Sequence, residues 1–168
     1  NNSNYGTAIV GTVDASDNSI SFGSEAVFES SATTYISCTF DSSTNKVVVA
    51  YRDSNNSNYG TAIIGTLSGT SISFGTAVVF QSAATKILPQ GVKWVAYGTD
   101  NQAAVFDSGS NKVVIAFRNG VAANNDRGHA IVGTVDPSDN SISFGDVAAF
   151  EDSSTKAIAI AFDSSANK

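Results

Sequence analysis

Asn58–Ser82 reads NYGTAIIGTLSGTSISFGTAVVFQS, and this stretch decides the fold because the chain contains it three times. Asn4–Ser30 reads NYGTAIVGTVDASDNSISFGSEAVFES, and Arg127–Asp152 reads RGHAIVGTVDPSDNSISFGDVAAFED. A second block follows each copy: ISCTFDSSTNKVVVAYRD (Ile36–Asp53), AAVFDSGSNKVVIAFRN (Ala103–Asn119) and AIAFDSSANK (Ala159–Lys168). The glycine opening the first block is Gly6, then Gly60, then Gly128, so the spacing is 54 residues and then 68. A period near 50 is the mark of propellers, solenoids and arrays, in which each unit buries its apolar faces against its neighbours.

One unit resolves into four runs rich in Val, Ile, Thr, Phe and Tyr, represented by TYISCTFD, KVVVAYRD, GTAIVGTV and SISFGSEAVF. Ser, Asn, Asp and Gly separate them, as hairpin turns require. No stretch carries a sustained helical period, and Pro occurs only at Pro89 and Pro137. The expectation is an all-β protein of four-stranded antiparallel meander units, repeated as propeller-type blades. TYISCTFD takes the innermost place and SISFGSEAVF the outermost. The near-continuous apolar centre of KVVVAYRD suits a strand covered on both faces. The boundaries read as a partial unit over 1–30, a full unit over 31–82, a full unit with an insertion over 83–152 and a partial unit over 153–168. Three blades are too few to close a ring. The chain therefore reads as an excerpt of a longer repeat protein, or as a subunit whose neighbours complete the ring.

The 168 residues hold 15 acidic and 9 basic side chains, a net charge of −6. That balance argues against nucleic acid, whose phosphates need a Lys/Arg face, and apolar runs this short exclude insertion into a membrane as helices. A single cysteine, Cys38, excludes an internal disulfide framework and a cysteine-based zinc site. Cys38 lies mid-strand and reads as a small buried hydrophobe.

Candidate sites are judged by whether they break the repeat. The insertion KILPQGVKWVAYGTDNQ (Lys86–Gln102) does so, and it carries Trp94, Tyr97 and Asp100. Its two readings are a loop packed on its own aromatics and a binding loop placed on a rigid scaffold. Asn58 and Tyr59 belong to the link before the third strand. Tyr beside Asn is a common lining for sugar sites, because rings stack on sugar faces and amides bond hydroxyls, and a weak site repeated per unit gains by avidity. Asp14 with Asp17, and Asp136 with Asp139, sit in DASDNS and DPSDNS. These read first as turn residues and second as calcium candidates, since the second copy replaces the loop with LSGTS and no acid. Calcium is thus the one cofactor considered; otherwise none is expected. His129, the only histidine, stands where Thr7 and Thr61 stand in the other copies, which makes it a strand residue. Arg52 and Arg118 recur at one place in each unit, which argues for a structural role. Among Glu25, Glu29, Asp146, Glu151 and Asp152, no pair stands out as a glycosidase dyad.

The units GTAIVGTV, SISFG, AVVF and FDSSTNKVVVAYRD together resemble tandem propeller-like repeats of marine bacteria and their phages, often found in tail-fibre or surface proteins. The resemblance covers the chain except Lys86–Gln102. It implies a propeller-type fold and an extracellular, cell-surface or virion setting, and it implies no catalytic residues. The S-x-D-x-G-x-T-W box of sialidase-type blades is absent. The resulting expectation is a non-enzymatic structural and adhesive module whose partner is a surface glycan or further copies of the same protein. The alternatives are a filament subunit assembled by strand pairing between chains and a propeller-type glycoside hydrolase.

Overall fold

The computed structural model describes residues 4–82, 99–119, 126–155 and 157–168. Every regular element among the described residues is a β-strand. In chain order these are β1 (Tyr5–Ala8), β2 (Gly11–Asp14), β3 (Ser19–Phe22), β4 (Ala26–Asp41), β5 (Lys46–Asp53), β6 (Tyr59–Ser68) and β7 (Ser71–Phe74). They continue with β8 (Val78–Gln81), β9 (Thr99–Asp107), β10 (Lys112–Asn119), β11 (Arg127–Asp136), β12 (Ser141–Phe144) and β13 (Ala148–Ser154).

The two full repeats fold alike. In the second unit β4, β5, β6 and β7 are neighbours in order, and β8 pairs with β6 beyond β7. In the third, β9, β10, β11 and β12 repeat the order, and β13 pairs with β11. The registers correspond residue for residue: Val47 faces Gly65 and Asp53 faces Tyr59 between β5 and β6, while Val113 faces Gly133 and Asn119 faces Arg127 between β10 and β11.

Local chemistry explains the hairpins. Asp41 Oδ1 accepts hydrogen bonds from the Ser43 and Thr44 backbone N–H groups at 2.9 and 3.2 Å, and Asn45 closes the turn at φ 58°. Asp107 does the same for Gly109 and Ser110, with Asn111 at φ 56°. Asp163 does it for Ser165 and Ala166, with Asn167 at φ 53°. Aspartate mimics the next backbone turn, and asparagine tolerates the left-handed region better than other side chains.

Two features depart from the expected unit. The outermost run is two strands, interrupted between Phe74 and Val78: the Gly75 N–H donates to the Ile64 carbonyl at 2.9 Å as a last rung of the first ladder, and the register on β6 has moved by one residue where β8 joins. The second feature is a single strand across residue 30. β4 runs through it, pairing with β1 over Ala26–Ala32 and with β5 over Thr33–Asp41. A bulge between Thr34 and Ser37, with Tyr35 at φ 52°, redirects the strand between its two partners.

The units pack through their sheet faces. Val48, Ala50, Ala62, Ile64 and Phe80 of the second unit are buried against Phe106, Val113, Ile115, Phe117, Ile131, Val135 and Ile142 of the third. The opposite face of the second unit buries Val49, Tyr51 and Ile63 against Phe28 of the first. β5 is therefore covered on both sides, as its apolar run requires. Burying each such side chain is worth about 1.5–3 kcal/mol.

One aromatic arrangement recurs at both junctions. Phe28 of the first unit lies 5.2 Å from Tyr51 and 5.6 Å from Phe74 of the second, centroid to centroid. Phe80 of the second lies 5.3 Å from Phe117 and 5.7 Å from Phe144 of the third. All four pairs are tilted by 55–60°, the geometry ring quadrupoles prefer. A glycine seats this phenylalanine: a Cβ on Gly6 would strike the Phe28 ring, and one on Gly128 would lie 2.5 Å from that of Phe150.

Candidate functional site

The acids singled out in the sequence are tied to their own turns. Asp14 Oδ1 accepts from the Ser16 N–H at 2.9 Å and from its hydroxyl at 2.6 Å, and Asp136 binds Ser138 with the same distances. Asp17 accepts from the Ser19 N–H and Asp139 from the Ser141 N–H, each at 2.9 Å. The serine bonds hold the Asp14, Asp17 and Asp136 carboxyls below the ordinary aspartate range. Glu151 is lowered in the same way by Ser153, and Asp107 by Ser110. In Asp41 burial pushes the carboxyl up, and the bonds from Ser43 and Thr44 together outweigh it, so the net direction is down. Among the described residues no group of three or more His, Cys, Asp and Glu side chains converges.

Asn58 sits at φ 62° and leads into β6, whose first residue is Tyr59. The Tyr59 N–H donates to the Asn56 carbonyl at 2.9 Å, so this Tyr–Asn pair forms part of the turn that starts β6. Asp100 falls in β9, in register opposite Arg118 of β10. Trp94 and Tyr97 lie outside the described residues. The structure thus keeps Tyr59 and Asn58 together.

His129 is a buried strand residue, as its place in the repeat predicts. Its ring stacks on Phe117 at 6.0 Å, and its Nδ1 lies 3.2 Å from the Arg127 carbonyl oxygen. The Arg52 guanidinium lies over the Tyr35 ring at 5.7 Å. Cys38 corrects its expectation. It is exposed, with Ile36 and Phe40 on the same side of β4. In the third unit the corresponding strand packs against the second unit, where the Ala104 N–H donates to Ser37 Oγ at 3.0 Å. Among the described residues the first unit offers β4 no equivalent strand, so this side stays open.

That opening is a cleft of about 310 Å³. It is bounded by Ala8, Val10 and Phe28 of the first unit and by Cys38, Val47 and Val49 of the second. A second cleft of about 310 Å³ lies at the other end, between Ala116, Ala130, Phe150 and residues 157–160. Sequence reasoning missed both.

No family model, curated protein or solved structure matches the chain. The functional reading therefore rests on the geometry alone.

Polar links between units follow the repeat as well. Lys46 Nζ donates to Thr66 Oγ1 at 2.9 Å, and Thr66 Oγ1 donates to Asn140 Oδ1 of the next unit at 3.0 Å. Lys112 and Thr134 repeat the first of these bonds at 2.7 Å. Gly75 admits the Asn140 backbone so closely that a Cβ would lie 2.5 Å from its carbonyl oxygen.

Proposed function

We propose that the chain is a non-enzymatic structural and adhesive repeat module built of propeller-type blades. Its setting is an extracellular appendage, a phage fibre or a cell-surface protein, and its partner is a surface glycan or further copies of the same protein. The observation that carries this reading is the junction itself. The same phenylalanine, the same two aromatic partners and the same face recur between units one and two and between units two and three. Such repetition serves stacking, whereas a catalytic set needs unlike residues from unlike units. The aspartates Asp14, Asp41, Asp107 and Asp136 are in keeping with it, since each holds its own turn through Oδ1.

A filament subunit assembled by strand pairing between chains is the second reading, favoured by the exposed apolar side chains Ile9, Val13, Ile20 and Phe22 of the first unit and Val132 and Phe150 of the third.

The test is a broad glycan array run beside a reducing-sugar assay on the same polysaccharides. The expected outcome is binding to one glycan class without turnover. Sugar release abolished by a single Asp or Glu substitution would overturn the reading in favour of a glycoside hydrolase. A flat array would remove the adhesive part.

A further inference from the structure

Tyr35 is the one aromatic residue among the described residues whose backbone is left-handed, at φ 52°. The other described non-glycine residues at positive φ are asparagine, aspartate or serine, whose short polar side chains suit that region. Tyr35 occupies the bulge of β4, between Thr34, which faces Arg52, and Ser37, which faces Ala50. The third unit bulges at the same place, between Asp100 opposite Arg118 and Ala103 opposite Ala116, and Asn101 stands where Tyr35 stands. The repeat thus holds a residue suited to this backbone, and the second unit carries a bulky ring there instead. An outlier of this kind points to a use for the side chain.

The ring is not part of the core. Tyr35 is 44% exposed, and the Arg52 guanidinium lies over it at 5.7 Å, close enough to fix its orientation. Arg52 alternates along β5 with Val48 and Ala50, which are buried against the third unit. The ring therefore shares the side that faces the third unit, and its exposure is separate from that of Ile36, Cys38 and Phe40 on the other face. The same end of the sheet carries exposed amides. Arg52 and Asp53 close β5, and Asp53 Oδ1 accepts from the Asn55 and Asn56 N–H groups at 3.0 and 3.2 Å. The turn so held presents Asn55 and Asn56, both exposed.

We propose that Tyr35 is the platform of a sugar site. The apolar face of a neutral hexopyranose stacks on the ring, and the amides of Asn55 and Asn56 bond its hydroxyls. Arg52 is a positioning residue that holds the ring. A neutral sugar fits the chain's net charge of −6, which repels uronates and sialic acids. The proposal rests on the adhesive reading and deepens it by naming the ligand class and the side chain that binds it.

The test is an array of neutral glucose, mannose and galactose oligosaccharides beside sialylated and uronate-bearing ones. It is probed with the full chain and with its Tyr35→Phe and Tyr35→Asn variants. Signal is expected on a neutral sugar. Tyr35→Phe retains the ring and should keep that signal, whereas Tyr35→Asn should lower it about tenfold or more. Tyr35→Asn also installs the side chain that the third unit carries, so its urea midpoint should equal or exceed that of the parent chain. Binding lost without stability lost is the outcome that a merely structural ring would not give. Signal unchanged in Tyr35→Asn, or confined to the acidic sugars, overturns the proposal and leaves the adhesive reading standing. A lower urea midpoint for Tyr35→Asn overturns it as well, because the ring would then belong to the packing. A flat array for the parent chain removes both readings.

Discussion

Replacing Phe80 with alanine tests the stacking of units against an internal control that the repeat itself provides. Phe80 is 7% exposed and touches Phe117 and Phe144 across the junction. Phe150 is the same residue one unit later, over Gly128, but it is 56% exposed. Removing a fully buried phenylalanine forfeits a transfer term of about 2–3 kcal/mol. Two aromatic pairs add about 0.5–1.5 kcal/mol each. Phe80→Ala should therefore cost about 3–5 kcal/mol, the usual range for such a truncation. For Phe150 less than half of the transfer term applies, which leaves about 1 kcal/mol. Urea unfolding followed by Tyr fluorescence and circular dichroism measures both. With a slope of about 2 kcal/mol per molar urea, the midpoint falls by about 2 M for Phe80→Ala and by about 0.5 M for Phe150→Ala. Equal shifts for the two variants would refute the reasoning, because they would mean that the Phe80 ring gains nothing from the next unit.

Other perturbations probe the remaining contacts. Gly75→Ala drives a methyl to 2.5 Å from the Asn140 carbonyl oxygen, whereas Gly145→Ala meets nothing nearer than 3.9 Å. The first should lower stability by about 1–3 kcal/mol and the second should raise it by a few tenths to about 1 kcal/mol, read as opposite shifts in melting temperature. Tyr51→Phe removes a hydroxyl that donates to Glu29 Oε2 at 3.4 Å, and burial with Glu29 and Asp53 nearby pushes that phenol well above its ordinary pKa. Phe117 fills the equivalent place without a hydroxyl, so the variant should fold alike and lose no more than about 1 kcal/mol in urea titration. Acid should destabilise the chain in a predictable window. Asp14, Asp17, Asp107, Asp136 and Glu151 have folded-state pKa values below their ordinary ones, so their stabilisation is complete above about pH 4 and is lost as pH falls through the depressed values. Urea midpoints between pH 7 and pH 2.5 should stay level and then drop below pH 4, and a midpoint that rises on acidification would contradict the turn assignment. Millimolar calcium should leave the melting temperature unchanged, because among the described residues no group of three or more His, Cys, Asp and Glu side chains converges at either DxSDNS turn.

What the sequence made legible was whatever the repeat determines locally. The all-β class, the turns at Asp41, Asp107 and Asp163, the two-sided burial of KVVVAYRD and the strand role of His129 all follow from residue pattern and short-range hydrogen bonding. The uninterrupted course of β4 through residue 30 did not, because one strand serving two partners in succession looks like two strands with a link. Nor did the break after Phe74, where the register on β6 moves by one residue between β7 and β8 while the apolar pattern continues. Cys38 was misread for a different reason. Its own strand marks it as core, but its burial depends on whether a neighbouring unit supplies the strand opposite, and that is a property of the stack. Asn58 and Tyr59 read as a ligand lining from their residue types, and the fold places them in a turn and on the first rung of β6.

The central claim is that consecutive units meet face to face through one repeated aromatic junction. Nuclear Overhauser spectra of the chain with labelled phenylalanine and tyrosine rings test it most directly. The account predicts cross-peaks from Phe80 to Phe117 and Phe144, and from Phe28 to Tyr51 and Phe74, with no comparable partner for Phe150 among the described aromatic residues. Cross-peaks confined to residues of the same unit would contradict it.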